Sequence, residues 1–139
     1  MNLFTLEGKT ALVTGCKRGI GFAMAEALAE AGADIVGVSA SLEKEGSDIE
    51  AAVKKLGRNF KAYQCDFSDR KSLYAFIEEM KADKVQVDIL VNNACSYDDD
   101  GVDSSREQWH RTLGVNLVSA AIFAQKALAH MKRGAVIVN

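Results

Sequence analysis

The sequence predicts an α/β protein built on one doubly wound parallel sheet, strand order 3-2-1-4-5, with helices on both faces. Three observations point there. Short apolar runs alternate with amphipathic segments along all 139 residues. The runs are continuous rather than alternating, as strands covered on both faces are. A glycine-rich turn joins the first run to the first helix. Right-handed crossovers then restrict the topology, and the stated order is the simplest that satisfies them.

The elements follow in order. Thr10-Ala11-Leu12-Val13 is a short apolar run with β-branched ends and forms the first strand. The turn Thr14-Gly15-Cys16-Lys17-Arg18-Gly19-Ile20-Gly21 leads into an alanine-rich helix over 22–31. Gly32 suits the left-handed position that stops it. Residues 34–39 form the second strand. Ile49, Ala52, Val53 and Leu56 share one face of a helix over 47–56, which Gly57 ends. Residues 60–65 form the third strand. Ser68 or Asp69 caps a helix whose stripe is Leu73, Phe76, Ile77 and Met80. Residues 87–91 form the fourth strand. A polar loop over 96–105 precedes a long helix over 106–131, and 135–138 form the fifth strand. The expectation is a single domain over 1–139, truncated after the fifth strand, with Val136-Ile137-Val138 as an exposed apolar edge.

Composition narrows the class. A hydrophobic fraction of 48% with 26% charged residues fits an ordinary globular domain. A net charge of −2 gives no reason to expect nucleic acid or an anionic membrane as partner. Cys16, Cys65 and Cys95 leave one thiol unpaired in any scheme and form no CxxC, which favours a reducing, cytoplasmic setting. The start Met1-Asn2-Leu3-Phe4-Thr5-Leu6-Glu7 lacks the basic residues and long apolar core of a signal peptide, and no apolar run approaches membrane-spanning length.

The glycine turn carries the first functional signal. A strand, a glycine turn and a helix present unpaired N–H groups at a helix N-terminus, where the dipole also favours an anion such as a pyrophosphate. Gly15 can take a backbone conformation barred to other residues. Gly19 and Gly21 lack side chains that would block a phosphate or hold the helix away. In a doubly wound sheet the ligand crevice lies where strand order reverses, between the first and fourth strands. That makes Asn92-Asn93-Ala94-Cys95 the second candidate stretch, although two asparagines can also simply end a strand.

On these residues the chain resembles the N-terminal half of a short-chain dehydrogenase/reductase, a Rossmann-type enzyme. The turn matches the family's TGxxxGIG motif, and Asn92-Asn93-Ala94 matches its NNAG with Cys95 in place of the glycine. Asp66 stands where the family's aspartate contacts adenine, and Val115-Asn116-Leu117 where it carries a catalytic asparagine. Leu6-Glu7-Gly8-Lys9 and residues 34–38 are similar to the gluconate-type and 3-oxoacyl-carrier-protein reductase branches. The resemblance implies hydride transfer between a nicotinamide and a small-molecule alcohol or carbonyl substrate, such as a sugar acid or a 3-oxoacyl group. It implies a cofactor site of Gly15, Lys17, Arg18, Gly19, Ile20, Gly21, Ser39, Ala40, Ser41, Asp66, Phe67, Asn92, Ala94 and Val115. It gives Asn116 the role of holding a water in a proton relay.

Bland alternatives stand beside these roles. Asp66 can cap a turn with Ser68. Asn116, placed on an apolar and buried-looking segment, can be structural and must then find backbone or water partners. The family's Tyr-x-x-x-Lys pair is missing: Tyr63 is followed at four residues by Phe67, Tyr74 by Glu78 and Tyr97 by Gly101. The chain alone is therefore expected to be inactive, leaving a non-catalytic nucleotide-binding or self-association module as the alternative. The resemblance also implies a homo-oligomer through the 106–131 helix, whose apolar residues Trp109, Leu113, Leu117, Ile122, Phe123 and Leu128 exceed one face. Cover by further chain would explain the same excess.

Cofactor choice turns on the end of the second strand. Ser39-Ala40-Ser41 supplies no acid before Glu43, and Lys17 and Arg18 are placed to pair with an added phosphate. The expectation is NADP, with NAD as the alternative. No metal is expected. Asp98-Asp99-Asp100-Gly101 lacks a calcium loop's alternating ligands and closing glutamate, and reads as a solvated loop near the substrate entrance. His110 and His130 lie too far apart on one helix to share an ion. Cys16 stands beside two bases at a helix N-terminus, a context that can lower a thiol pKa, but the favoured reading is packing of the cofactor loop rather than redox sensing.

Overall fold

A computed structural model describes residues 3–139 of the chain; Met1 and Asn2, and the reading placed on them, lie outside the described residues. Five parallel strands pair in the order β3-β2-β1-β4-β5. They are β1 (Thr10–Thr14), β2 (Asp34–Ser39), β3 (Phe60–Gln64), β4 (Val87–Val91) and β5 (Met131–Val138). Helices α1 (Gly19–Glu30), α2 (Asp48–Lys55), α3 (Arg70–Ala82), α4 (Arg106–Leu113) and α5 (Ala120–Ala127) make the crossovers.

The period-two alternation of strand side chains splits the core into two layers. Ala11, Val13 and Ile35 face α1 and α2, where Ala25, Ala29, Ile49 and Val53 close over them. Leu12, Val36, Val38 and Leu90 face α3 and α5, and meet Leu73, Phe76, Met80 and Phe123. The Phe76 ring lies 5.3 Å from Phe123 and 5.2 Å from Tyr63, centroid to centroid. Each such fully buried large side chain contributes roughly 1.5–3 kcal/mol relative to exposure. At the β3 edge, Tyr63 Oη donates to Asp83 Oδ2 at 2.6 Å, and Lys61 Nζ donates to the same oxygen at 2.6 Å.

Capping follows residue chemistry. Ser47 accepts from the Glu50 N–H to start α2, and Asp69, rather than Ser68, accepts from the Lys71 N–H to start α3. Gly32 takes the left-handed conformation (φ +107) that ends α1. Leu56 departs from its expected place: it lies one residue past α2 and is half exposed, because the helix ends before the stripe returns to the core.

Helix α1 begins at Gly19, three residues earlier than the alanine run suggests, so its first turn lies inside the glycine motif. Its N-terminal position, Arg18, provides no side-chain cap, and the first turn carries no acid. The N–H groups that a Ser or Asp would otherwise satisfy therefore have no cap side chain as acceptor.

The long 106–131 helix is not continuous. A capping box of Ser105 and Gln108 starts α4. A wide π-helical turn, Gly114–Ser119, separates it from α5, and a 3₁₀ turn, Leu128–His130, closes the run. Gly114 is a weak helix former, and the wider turn brings Ser119 Oγ to 2.6 Å from the Phe67 carbonyl, to which it donates. Strand β5 then starts directly at Met131, four residues before the apolar run. Met131 pairs with Val87 and Val136 with Ile89, so the polar residues between them bulge from the ladder, which composition alone does not betray.

Two apolar surfaces remain, as expected. Trp109 and Leu113 on α4, Leu117 and Val118 on the π-helical turn and Leu128 just past α5 are exposed, as are Val136 and Val138 on β5, which pairs with β4 at the edge of the described sheet. Contrary to the reading that no segment reaches membrane-spanning length, Arg106–His130 is 25 residues long with mean hydropathy 1.3 over its best stretch. Here Val115, Ser119, Phe123 and Ala127 lie buried in the fold.

Candidate cofactor-binding site

The order reversal leaves a crevice at the carboxyl ends of β1 and β4, and Thr14 builds its floor. Its hydroxyl accepts from the backbone N–H groups of Asn93 (3.0 Å) and Ala94 (2.9 Å) and donates to the Val91 carbonyl (3.3 Å). Asn93 Nδ2 returns the contact by donating to the carbonyls of Thr14 (3.1 Å) and Gly15 (3.3 Å). The glycine turn and the Asn-Asn-Ala turn are thus locked together across the switch point.

Glycine is required here by contact. Gly15 has φ +70, and a Cβ on it would lie 2.8 Å from Asn93 Nδ2. A Cβ on Gly21 would lie 2.1 Å from the Gly15 carbonyl oxygen, a backbone atom that cannot step aside. The loop is also tied to the end of β2. Gly15 N–H donates to the Val38 carbonyl (2.7 Å) and Lys17 N–H to Ser39 Oγ (3.2 Å).

The result is a cleft of about 600 Å³, in the size range of cofactor sites. Gly15, Lys17, Arg18, Gly19, Ile20, Gly21, Ser39, Ala40, Ser41, Asp66, Phe67, Ala94 and Val115 all line it. Asn92 does not. It turns to β5, donating its N–H to the Val138 carbonyl (2.8 Å) and Nδ2 to Asn139 Oδ1 (2.9 Å), and its neighbour Asn93 takes the cleft position. Cys65, Ser68, Cys95, Ser96, Tyr97 and Arg111 line it too. Arg111, on α4 and far along the chain from the other lining residues of the glycine turn, gave no local signal.

Asn116 lies beside the cleft rather than in its lining, and it is exposed, not buried as its apolar neighbours suggested. The π-helical turn rotates it outward. Its Oδ1 accepts from the Ser96 N–H (2.7 Å) and its Nδ2 donates to the Ser96 carbonyl (3.0 Å), so the amide clamps the loop after β4 and keeps one N–H and one lone pair for a further partner. The same loop is fastened by Arg111 to Asp98 (2.8 Å) and by Gln108 Nε2 to Asp100 Oδ2 (2.9 Å). The acidic loop is therefore partly engaged by α4, not wholly solvated. Among the described residues no group of three His, Cys, Asp or Glu converges as metal ligands would.

Asp66 does hold a turn: its Oδ1 accepts from the Ser68 N–H (2.9 Å) and Ser68 Oγ (2.6 Å), while the residue borders the cleft. Lys17 is not open as the sequence suggested. Its ammonium donates to the Ser41 carbonyl (2.6 Å) and Glu43 Oε1 (2.8 Å), and that hydrogen bond holds the Glu43 carboxyl below its ordinary pKa. Arg18 is exposed on the cleft, and its side chain makes no hydrogen bond or ion pair among the described residues.

Cys16 is fully buried, as packing of the loop requires, and burial pushes its pKa up against the lowering hydrogen bonds of Ser39 and the Val38 backbone. Burial likewise pushes Cys65 up to about 12. Tyr97 is exposed at the cleft, and its hydrogen bond with Cys95 raises its pKa, the wrong direction for acid–base work near neutrality.

Comparison with known proteins agrees with this geometry. The sequence model of the family described as short chain dehydrogenase matches residues 9–139. The chain is 60% identical over 124 residues to the 2-dehydro-3-deoxy-D-gluconate 5-dehydrogenase of Pseudoalteromonas atlantica, covering 88% of this chain and 49% of that protein. It is 36% identical over 128 residues to the 3-oxoacyl-[acyl-carrier-protein] reductase of Escherichia coli, covering 91% and 51%. A short chain dehydrogenase from Burkholderia cenocepacia, solved in complex with NADP, superposes with a TM-score of 0.84 at 34% identity, covering 95% of this chain and 54% of that one. The chain spans about half the length of the relatives it matches.

Proposed function

The chain belongs to the short-chain dehydrogenase family, and we propose that its cleft binds NADP, with NAD the alternative. One observation carries this: the uncapped start of α1 and the close-packed glycines leave backbone donors facing a cleft that the second turn, at Asn93 and Ala94, completes. Side chains at Gly15 and Gly21 would collide with Asn93 and the Gly15 carbonyl and push the two turns apart, and the cradle they form fits a pyrophosphate. Asp66 and Phe67 border the adenine side, Val115 and Ala94 the far wall, and Ser39, Ala40 and Ser41 the ribose end. When bound, the cofactor supplies the hydride acceptor or donor, and the protein supplies position.

NADP is favoured because the end of β2 carries no acid and Arg18 stands on the cleft without a side-chain partner among the described residues. An arginine there can meet a 2′-phosphate through two parallel hydrogen bonds. The NADP-bound relatives support the same reading. The protein carrying this chain would act on a small alcohol or carbonyl compound, a sugar acid such as 2-dehydro-3-deoxygluconate before a 3-oxoacyl group, given the higher identity to the former relative. Asn116, by clamping Ser96, would fix the loop beside the nicotinamide and hold a water there. Free thiols in Cys16, Cys65 and Cys95 fit a reducing, cytoplasmic compartment.

A second reading rests on the exposed apolar face of α4 and α5. It favours self-association into a homo-oligomer, and none of the three tyrosines in these 139 residues has a lysine four positions on. Titration with NADPH and NADH, followed by turnover assays on the sugar acid, separates the readings. Tighter NADPH binding with turnover is expected for an enzyme. Binding without turnover would leave a nucleotide-binding module, tighter NADH would reverse the cofactor choice, and no binding would overturn the cleft assignment.

A further inference from the structure

The end of β2 holds a feature that the cofactor reading does not use. Lys17 reaches out of the glycine loop to a carboxylate four residues beyond the strand, and the same ammonium holds the carbonyl of Ser41, which lines the cleft. We propose that Glu43 is a specificity-determining residue, a built-in counterion that occupies the Lys17 ammonium which a 2′-phosphate would otherwise take. The inference rests on the cleft being a dinucleotide site and goes beyond it in naming what sets the strength of the preference.

The geometry supports competition rather than co-operation. An ammonium has three donors, and Lys17 spends two of them on the Ser41 carbonyl (2.6 Å) and Glu43 Oε1 (2.8 Å). Ser41 and Lys17 both line the cleft, so the pair lies at its rim. A phosphate approaching Lys17 would have to displace the carboxylate or sit beside it, anion against anion. A ribose bearing a plain 2′-hydroxyl meets neither cost. Hydrogen bonding to Lys17 keeps Glu43 ionised throughout the neutral range.

The pair is also too exposed to be there for stability. The two side chains are 36% and 50% accessible, where ion pairs contribute little to folding and are screened by salt. Removing the charge should therefore change selectivity and leave the fold alone. Arg18 remains as a cation on the cleft with no side-chain partner among the described residues, so the wild-type site keeps some preference for the phosphorylated cofactor while Glu43 restrains it.

The experiment measures NADPH and NADH dissociation constants for wild type, Glu43→Gln and Glu43→Ser, with thermal melting to check folding. For Glu43→Gln, NADPH should bind about tenfold tighter while NADH stays within about twofold, the difference one freed charge-assisted contact makes. The gain should shrink at raised salt and vanish in a Lys17→Met background. Both nucleotides binding with an unchanged ratio would overturn the inference alone, as would a gain that persists without Lys17. Failure of every protein to bind either nucleotide would overturn the cofactor reading and this inference with it.

Discussion

Replacing Thr14 by valine removes one hydroxyl and adds a methyl of nearly the same volume, so the fully packed surroundings of this residue, 2% exposed, stay filled. What is lost is hydrogen bonding. Two backbone donors, the N–H groups of Asn93 and Ala94, lose their acceptor, and the Val91 carbonyl loses a weak third contact. An orphaned buried donor costs roughly 1–3 kcal/mol. Both donors here are part-buried at the crevice floor and can be partly rehydrated, so the lower end applies and the total is about 2–3 kcal/mol. Thr14→Ser keeps the hydroxyl and deletes only the methyl, at about 1 kcal/mol. Urea unfolding of the two variants against wild type measures the difference. Nucleotide affinity should fall with Thr14→Val, because the same bonds hold the two turns at their spacing. A Thr14→Val protein as stable as Thr14→Ser, with unchanged affinity, would show that the hydroxyl does not organise the switch point.

Two further outcomes follow from the same structure. Gly21→Ala puts a carbon 2.1 Å from the Gly15 carbonyl oxygen and 2.5 Å from Asn93 Nδ2, which forces the loop open. Overpacking of this kind costs about 1–3 kcal/mol, and NADPH affinity should drop more than about tenfold; titration showing wild-type binding would refute it. Burial and the Asp83 hydrogen bond push Tyr63 up from 10.0 to about 12, and burial pushes Cys65 up from 9.0 to about 12. The folded state therefore keeps protons that the unfolded chain releases. Stability should be level below pH 9, then fall as pH rises from about 9 to about 12. Tyr63→Phe should remove the tyrosine's share of the fall above pH 10 and leave the share due to Cys65, and a stability that rises across the window would contradict the assignment.

Most of the frame was legible because it rests on local chemistry. Continuous apolar runs mark buried parallel strands, and β2 and β4 fall where composition puts them. The stripe Leu73, Phe76, Ile77 and Met80 packs as its spacing requires. The glycines read correctly since a positive φ or a close approach leaves few other residues possible. What failed locally failed for one reason. The start of β5 at Met131 and the break at Gly114–Ser119 are set by partners distant in sequence, namely Val87 on β4 and the Phe67 carbonyl.

The sequence by itself therefore determined the α/β class, the strand order and the two turns that face each other at the switch point. Periodicity, glycine and the handedness of crossovers act on neighbours and leave their mark in composition. Only the tertiary structure decided which side chains of those turns are free. It paired Lys17 with Glu43, sent Asn92 to β5 and Asn93 into the cleft, buried Cys16, and turned Asn116 outward to hold Ser96. A side chain's partner depends on which distant atoms the fold delivers to it, and a charge or amide carries no record of that in its neighbours along the chain.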